Sequence, residues 1–205
     1  MSPGWRGPSR CSRRPDTALQ LDRPRRLILI GLVAAALATA LLLLLASRVG
    51  SPVLIERGKP APGVVGTTLE GTAFDLADLR GKPVIVNFWG PSCVPCRAEF
   101  PLFLAKLDEH TADGLTIVGV LMHDAPAPAL DFIREFGATW TTVDDPTGEI
   151  RATYRATVRP LSYFIDGDGI LRSIQLGEVT GDRFEEKYAL IRPGAPTGSA
   201  APTGN

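Results

Sequence analysis

Histidine, methionine and cysteine are scarce in this 205-residue chain, which carries two, two and three of them. With histidines only at positions 110 and 123, no Ser/His/Asp arrangement can be argued. Their separation also lies far outside the short His spacing of common zinc sites. Met122 and His123 are the only candidates for extra soft ligands of a copper-delivery site. No Gly-rich phosphate loop and no internal repeat is present. Net charge is missing too, but the zero conceals a division. Residues 1–26 hold seven arginines against two aspartates, whereas residues 49–205 hold 14 Lys/Arg against 20 Asp/Glu. A globular part with that acidic excess lacks the basic face a phosphate backbone requires, so nucleic acid is excluded as a partner.

Between these parts lie the twenty residues Leu27 to Ala46, with no charge, no proline and the pure run Leu41 to Leu45. Twenty helical residues reach about 30 Å, the thickness of a hydrocarbon core. The arginine-rich flank is N-terminal, so the positive-inside rule puts residues 1–26 in the cytoplasm. A secretory signal would share the basic start, but its apolar run is usually ~7–15 residues. The small-residue triplet Ala38-Thr39-Ala40 falls inside the run rather than after it. Anchor and signal alike would export the globular part. The expectation is a single-pass anchor in the cell membrane: a basic cytoplasmic arm over 1–26, a transmembrane helix over 27–46, a linker over 47–57, a globular extracytoplasmic domain over 58–191 and a disordered tail over 192–205.

Cys11 lies in the cytoplasmic arm, on the other side of the membrane from Cys93 and Cys96. These two are therefore the only pair, in a compartment where disulfides persist. A domain of this size builds its own core without a staple, so the pair reads as catalytic rather than structural. It comes after the apolar run Val84 to Trp89 and opens a helical stretch, which places the first sulfur at a strand-to-helix turn. There the backbone N–H groups and the helix dipole favour a thiolate over a thiol. The second sulfur lies about one turn on, within reach of the first. Such a dithiol is a reversible two-electron carrier.

The remaining pattern predicts a hairpin over Val64–Thr68 and Thr72–Asp75, a helical turn over Leu76–Leu79 and a buried strand over Pro83–Trp89. A helix is expected over Val94–Thr111, kinked at Pro101, with Phe100, Phe103, Leu104 and Leu107 inward. Leu115–Met122 reads as a second buried strand. Pro126–Phe136 reads as a helix with Leu130, Ile133 and Phe136 on one side. Trp140–Val143, Pro146–Tyr154, Leu161–Ile165, Ile170–Leu176 and Asp182–Ile191 come next as strand, helix, strand, strand and helix, the last capped by Thr180 or Asp182. Alternating elements of this kind make an α/β sandwich around a mixed central sheet. Asp144-Asp145 and the pair Asp166/Asp168 fit turn chemistry. His110 and His123, near element ends, are expected to be solvated.

Four features together resemble the thioredoxin-like TlpA/ResA/DsbE family of membrane-anchored extracytoplasmic thiol-disulfide oxidoreductases. They are Asn87-Phe88-Trp89 leading into Cys93-Val94-Pro95-Cys96, then Arg97-Ala98-Glu99-Phe100-Pro101, then Arg159-Pro160-Leu161 through Gly169, and the central insert Pro126 to Tyr154. The resemblance covers residues 58–190, about two thirds of the chain, and implies a thioredoxin-like fold with an N-terminal hairpin. It implies that Cys93 is the nucleophile and Cys96 the resolving cysteine. Pro160 would be a cis-proline beside them, and Glu99 an acidic residue that tunes thiol titration. Asn87 stands where plain thioredoxins have a buried aspartate. Trp89, Pro95 and Arg159 are candidates for substrate contact or tuning. Trp89 also reads as core, and Arg159 also reads as a solvated cation. Ser92 replaces the tryptophan that many relatives carry before the first cysteine.

The implied reaction is reduction of protein disulfides with no cofactor or metal beyond the redox-active pair. Apocytochrome c heme-site cysteines are one substrate class, and a membrane electron donor would recharge the dithiol. A disulfide-forming oxidant stays open, as does a redox-inactive or metal-binding partner protein that would join Cys93 and Cys96 to His110 and His123.

Overall fold

The computed structural model describes residues 23–46 and 55–195. Residues 1–22 of the expected arm, including Cys11, residues 47–54 of the expected linker and residues 196–205 of the expected tail lie outside the described residues. The first unit is helix α1, Arg23–Ala46, whose side chains are exposed over Arg25–Leu44, a stretch long and apolar enough to cross a membrane. The second is the globular unit.

In the globular unit seven strands make one sheet: β1 Val65–Thr68, β2 Ala73–Asp75, β3 Val84–Trp89, β4 Thr116–Leu121, β5 Thr141–Asp144, β6 Leu161–Ile165 and β7 Leu171–Leu176. Their spatial order is β2-β1-β5-β4-β3-β6-β7. The centre β5-β4-β3 is parallel, and the hairpin β6-β7 and the pair β1-β2 are attached antiparallel. Every residue of β3 is buried, as an unbroken apolar run in a sheet covered on both faces requires. Ile85 and Trp89 enter one core layer, and Val84, Val86 and Phe88 enter the other.

Helix α2 runs Val94–Glu109 and is continuous through Pro101. It places Phe100 and Phe103 in the first layer, with Leu104 and Leu107 partly buried against it. Phe100 is the hub of that layer, its ring 4.8 Å from those of Trp89, Phe132 and Trp140. Helix α3, Pro126–Phe136, has the expected bounds but a rotated face. Ala129 and Phe132 are the buried residues, Ile133 and Phe136 are partly so, and Leu130 is peripheral. Phe132 packs tilted against Trp89 and edge-on against Phe100, and that sets the rotation.

Helix α4 is shorter than expected, Glu149–Thr153. The Asp145 carboxylate accepts from the backbone N–H groups of Ile150 and Arg151, so Pro146 to Gly148 form the turn that enters the helix. Helix α5, Gly181–Tyr188, ends before Ile191, and its N-cap Thr180 makes no side-chain cap bond. Residues 192–195 continue as a turn, Ala195 N–H donating to the Arg192 carbonyl.

Candidate active site

The site begins where β3 ends. After Trp89 the chain turns through Gly90-Pro91-Ser92, closed by a bond from Cys93 N–H to the Gly90 carbonyl at 3.1 Å. Cys93 is the N-cap of α2, and its Sγ accepts from Cys96 N–H at 3.2 Å. The two sulfurs form a disulfide with Cα atoms 5.3 Å apart. Cys93 keeps 6% of its surface and Cys96 none. In the reduced pair, the same N–H and the helix terminus would face a Cys93 thiolate. Val94 and Pro95 are exposed beside it.

The Arg159–Pro160 peptide bond is cis. Pro160 directly precedes β6, whose Leu161 pairs with Phe88 of β3. The register therefore carries the Pro160 segment to the end of β3, level with Trp89 and the turn into Cys93. Val158, on the approach to Pro160, is exposed.

Beneath the disulfide lies a buried polar row. Asn87 of β3 stands opposite Ser162 of β6 and Gly119 of β4, and Gly119 stands opposite Thr142 of β5. Asn87 Nδ2 donates to Ser162 Oγ at 3.0 Å and to Glu99 Oε1 at 2.9 Å. Glu99 Oε2 accepts from Val179 N–H at 3.1 Å. Glu99 is fully buried. Burial pushes its carboxyl from 4.5 up to about 7, against the bonds from Val179 and Asn87 that favour the charged form, and the nearby Glu178 charge raises it further. Gly119 is required by close approach: a Cβ there would lie 2.6 Å from both Thr142 Oγ1 and Trp89 Nε1.

Two expectations change. Trp89 is fully buried between Phe100 and Phe132. It offers a substrate no surface and belongs to the packing layer below the disulfide. Arg159 is not a solvated cation. Its Nη1 donates to Asp124 Oδ2 at 2.5 Å and to the Met122 carbonyl, and its Nη2 donates to Ser92 Oγ at 2.6 Å. Asp124, which no motif in the sequence marks, is brought into this polar cluster beside Cys93. The one available signal is its place just past the end of a buried parallel strand, where open α/β sheets gather functional groups.

The histidines do not join this site. His110 caps the far end of α2, fourteen residues beyond Cys96, or about 20 Å along a helix. It is not solvated but packed, its ring 4.0 Å from that of Tyr188. Glu109, His110 and Glu185 cluster within 4.8 Å, yet Lys106 Nζ already pairs with both carboxylates. His123 is exposed, with Arg151 Nη1 against its ring.

Residues 57–174 match the family model described as the AhpC/TSA family. Over 140 residues the chain is 34% identical to the thiol-disulfide oxidoreductase ResA of Bacillus thuringiensis subsp. konkukian, covering 68% of this chain and 80% of that protein. Among solved structures, a thioredoxin-family thiol:disulfide interchange protein from Chlorobium tepidum superposes with a TM-score of 0.58 at 28% identity, covering 65% of this chain and 95% of that one. StoA from Bacillus subtilis superposes with a TM-score of 0.53 at 26% identity, covering 64% of this chain and 98% of that one.

Proposed function

This chain belongs to the AhpC/TSA family and is a thioredoxin-like thiol-disulfide oxidoreductase of the ResA type, and on that premise we propose that it is a membrane-tethered, extracytoplasmic reductant of protein disulfides. The observation that carries this reading is the pairing of a helix-capping disulfide with a fully buried carboxylate one turn further along the same helix. The dithiol that this disulfide becomes on two-electron reduction is the electron store. The carboxyl, pushed up to about 7, is a proton acceptor matched to neutral pH.

The chemistry is two successive exchanges. The Cys93 thiolate attacks a substrate disulfide. The substrate S–S bond breaks, a bond from Cys93 Sγ to one substrate sulfur forms, and the other substrate sulfur leaves as a thiolate and takes a proton from water. The Cys96 thiol then gives its proton to Glu99 and attacks Cys93 Sγ. The Cys93–Cys96 disulfide forms, and the second substrate sulfur leaves as a thiolate and takes a proton from water. The substrate gains two electrons from the dithiol and two protons from water, while the dithiol's own protons go to solvent when Cys93 ionises and to Glu99 from Cys96. The cis Pro160 segment supplies a backbone edge beside Cys93 against which a peptide lies. Exposed Val94, Pro95 and Val158 supply its apolar rim.

The reducing direction is supported by the charges around Cys93. The nearest cation on the Pro160 side is already paired with Asp124, so it adds little to thiolate stability, and a less stabilised thiolate makes a more reducing couple. The tether is supported by α1 and by the arginines at its start, which point to a cytoplasmic N-terminus. A membrane electron donor would recharge the dithiol, and apocytochrome c is the substrate we favour.

Turnover of a disulfide-bonded reporter protein by the detergent-solubilised chain, with dithiothreitol supplied to re-reduce the Cys93–Cys96 pair, tests this. Cys93→Ser abolishes turnover, and Cys96→Ser accumulates a mixed disulfide through Cys93. Glu99→Gln slows release from that mixed disulfide and removes the rate inflection near pH 7. Undiminished turnover by Cys93→Ser would overturn the proposal.

A further inference from the structure

Three segments far apart in sequence meet at one polar cluster beside the disulfide. Ser92 comes from the turn before Cys93, Asp124 from beyond β4, and Arg159 from just before the cis peptide bond. Arg159 bonds both of the others, and Ser92 Oγ donates to Asp124 Oδ2 at 3.0 Å. The Arg159 and Asp124 side chains retain only 20% and 16% of their exposure. The cluster also presses on the backbone that positions the nucleophile. A Cβ on Gly90 would overlap Asp124 Oδ2 and Arg159 Nη1 and lie 3.0 Å from the Met122 carbonyl oxygen. The same Gly90 supplies the carbonyl that holds Cys93 N–H.

We propose that Asp124 is a charge-compensating positioning residue, holding the Arg159 guanidinium in an ion pair at the Cys93 turn and thereby keeping the Cys93–Cys96 couple on the reducing side. This role rests on the chain being a reductant of protein disulfides.

The coupling is electrostatic. A guanidinium is a delocalised cation, and a part-buried cation is screened less than an exposed one. Unpaired, it would stabilise a thiolate at Cys93 more than the uncharged disulfide, which favours the reduced pair and makes the disulfide a stronger oxidant. The Asp124 carboxylate cancels that field. Arg97, the cation on the α2 side, is likewise paired, its Nη1 2.5 Å from Glu135 Oε1 over the Phe132 ring. Ser92 joins the two loops through its hydroxyl, which both accepts from Arg159 and donates to Asp124.

The test is a redox equilibrium with glutathione at neutral pH, on the full chain in detergent. Two glutathione thiols reduce the protein disulfide and leave as one glutathione disulfide, and alkylation of the freed thiols reports the reduced fraction. Asp124→Asn raises the equilibrium constant for reduction about tenfold, equivalent to about 30 mV. Arg159→Gln leaves Asp124 unpaired and lowers the constant. The double variant returns towards the wild-type value, and Asp124→Glu, which keeps the charge, stays near it. Opposite signs for the two single variants cannot come from mere loosening of the loops, which would move both the same way. Shifts of the same sign, no shift in either, or an Asp124→Glu variant that behaves like Asp124→Asn would each overturn the inference. A wild-type protein without any reversible couple would instead sink the oxidoreductase reading, and this inference with it.

Discussion

Glu99 is the residue on which both stability and chemistry turn. A carboxyl raised by burial from 4.5 to about 7 costs the folded state when it ionises. Its stabilising contribution is complete below the unfolded value and is lost as pH rises through the folded one, since the native state binds the extra proton in that window. At ~1.36 kcal/mol per unit, the loss between these two values is roughly 3 kcal/mol. Urea unfolding of the oxidised protein at a series of pH values should show that decline, and Glu99→Gln should flatten it. A wild-type profile already flat from 4.5 to 7 would contradict burial as the cause. Gly119 is the second residue on which the polar row depends. With Trp89 Nε1 and Thr142 Oγ1 at 2.6 Å from the position of a Cβ, Gly119→Ala overpacks the centre of the sheet and destabilises by about 1–3 kcal/mol. Denaturant midpoints measure this, and a neutral substitution would show the row to be looser than these distances require.

At the scale of elements, α2 ties the site to the core. Its first residues hold the disulfide, and its second turn holds Phe100 among Trp89, Phe132, Phe136 and Trp140. Phe100→Ala should cost about 3–5 kcal/mol and also blur the geometry of Cys96 and Glu99 on the same helix. Chemical unfolding gives the first effect and the rate of reporter reduction the second. This helix also marks how far the sequence can be read. Its start is legible because an apolar strand run stops and a Cys-x-x-Cys with Pro95 at a first-turn position begins. Val84–Trp89 is legible because a continuous apolar run has few alternatives. The partners of Arg159 and Asn87 are not. They are set by the strand order β5-β4-β3-β6, which brings Asp124, Ser92 and Arg159 together at one end of the central strands from positions up to 67 residues apart. The face of α3 differs from expectation for a related reason. Helical spacing allows several apolar stripes, and the one buried is chosen by Trp89 and Phe100 on other elements.

At the scale of the whole chain, the proposed arrangement is a redox domain held outside a membrane by one helix, with the two sides marked by different cysteines. In intact cells an impermeant thiol reagent, applied after mild reduction, should label Cys93 and leave Cys11 unmodified. Labelling of Cys11 alone would reverse the topology. The direction of electron flow is the central claim, and the reduction potential of the Cys93–Cys96 pair in the full chain tests it most directly, with Cys93→Ser as the control. A reductant should give a value near that of thioredoxin, about −270 mV. A value near that of DsbA, about −120 mV, would contradict the claim and make the protein a disulfide-forming oxidant.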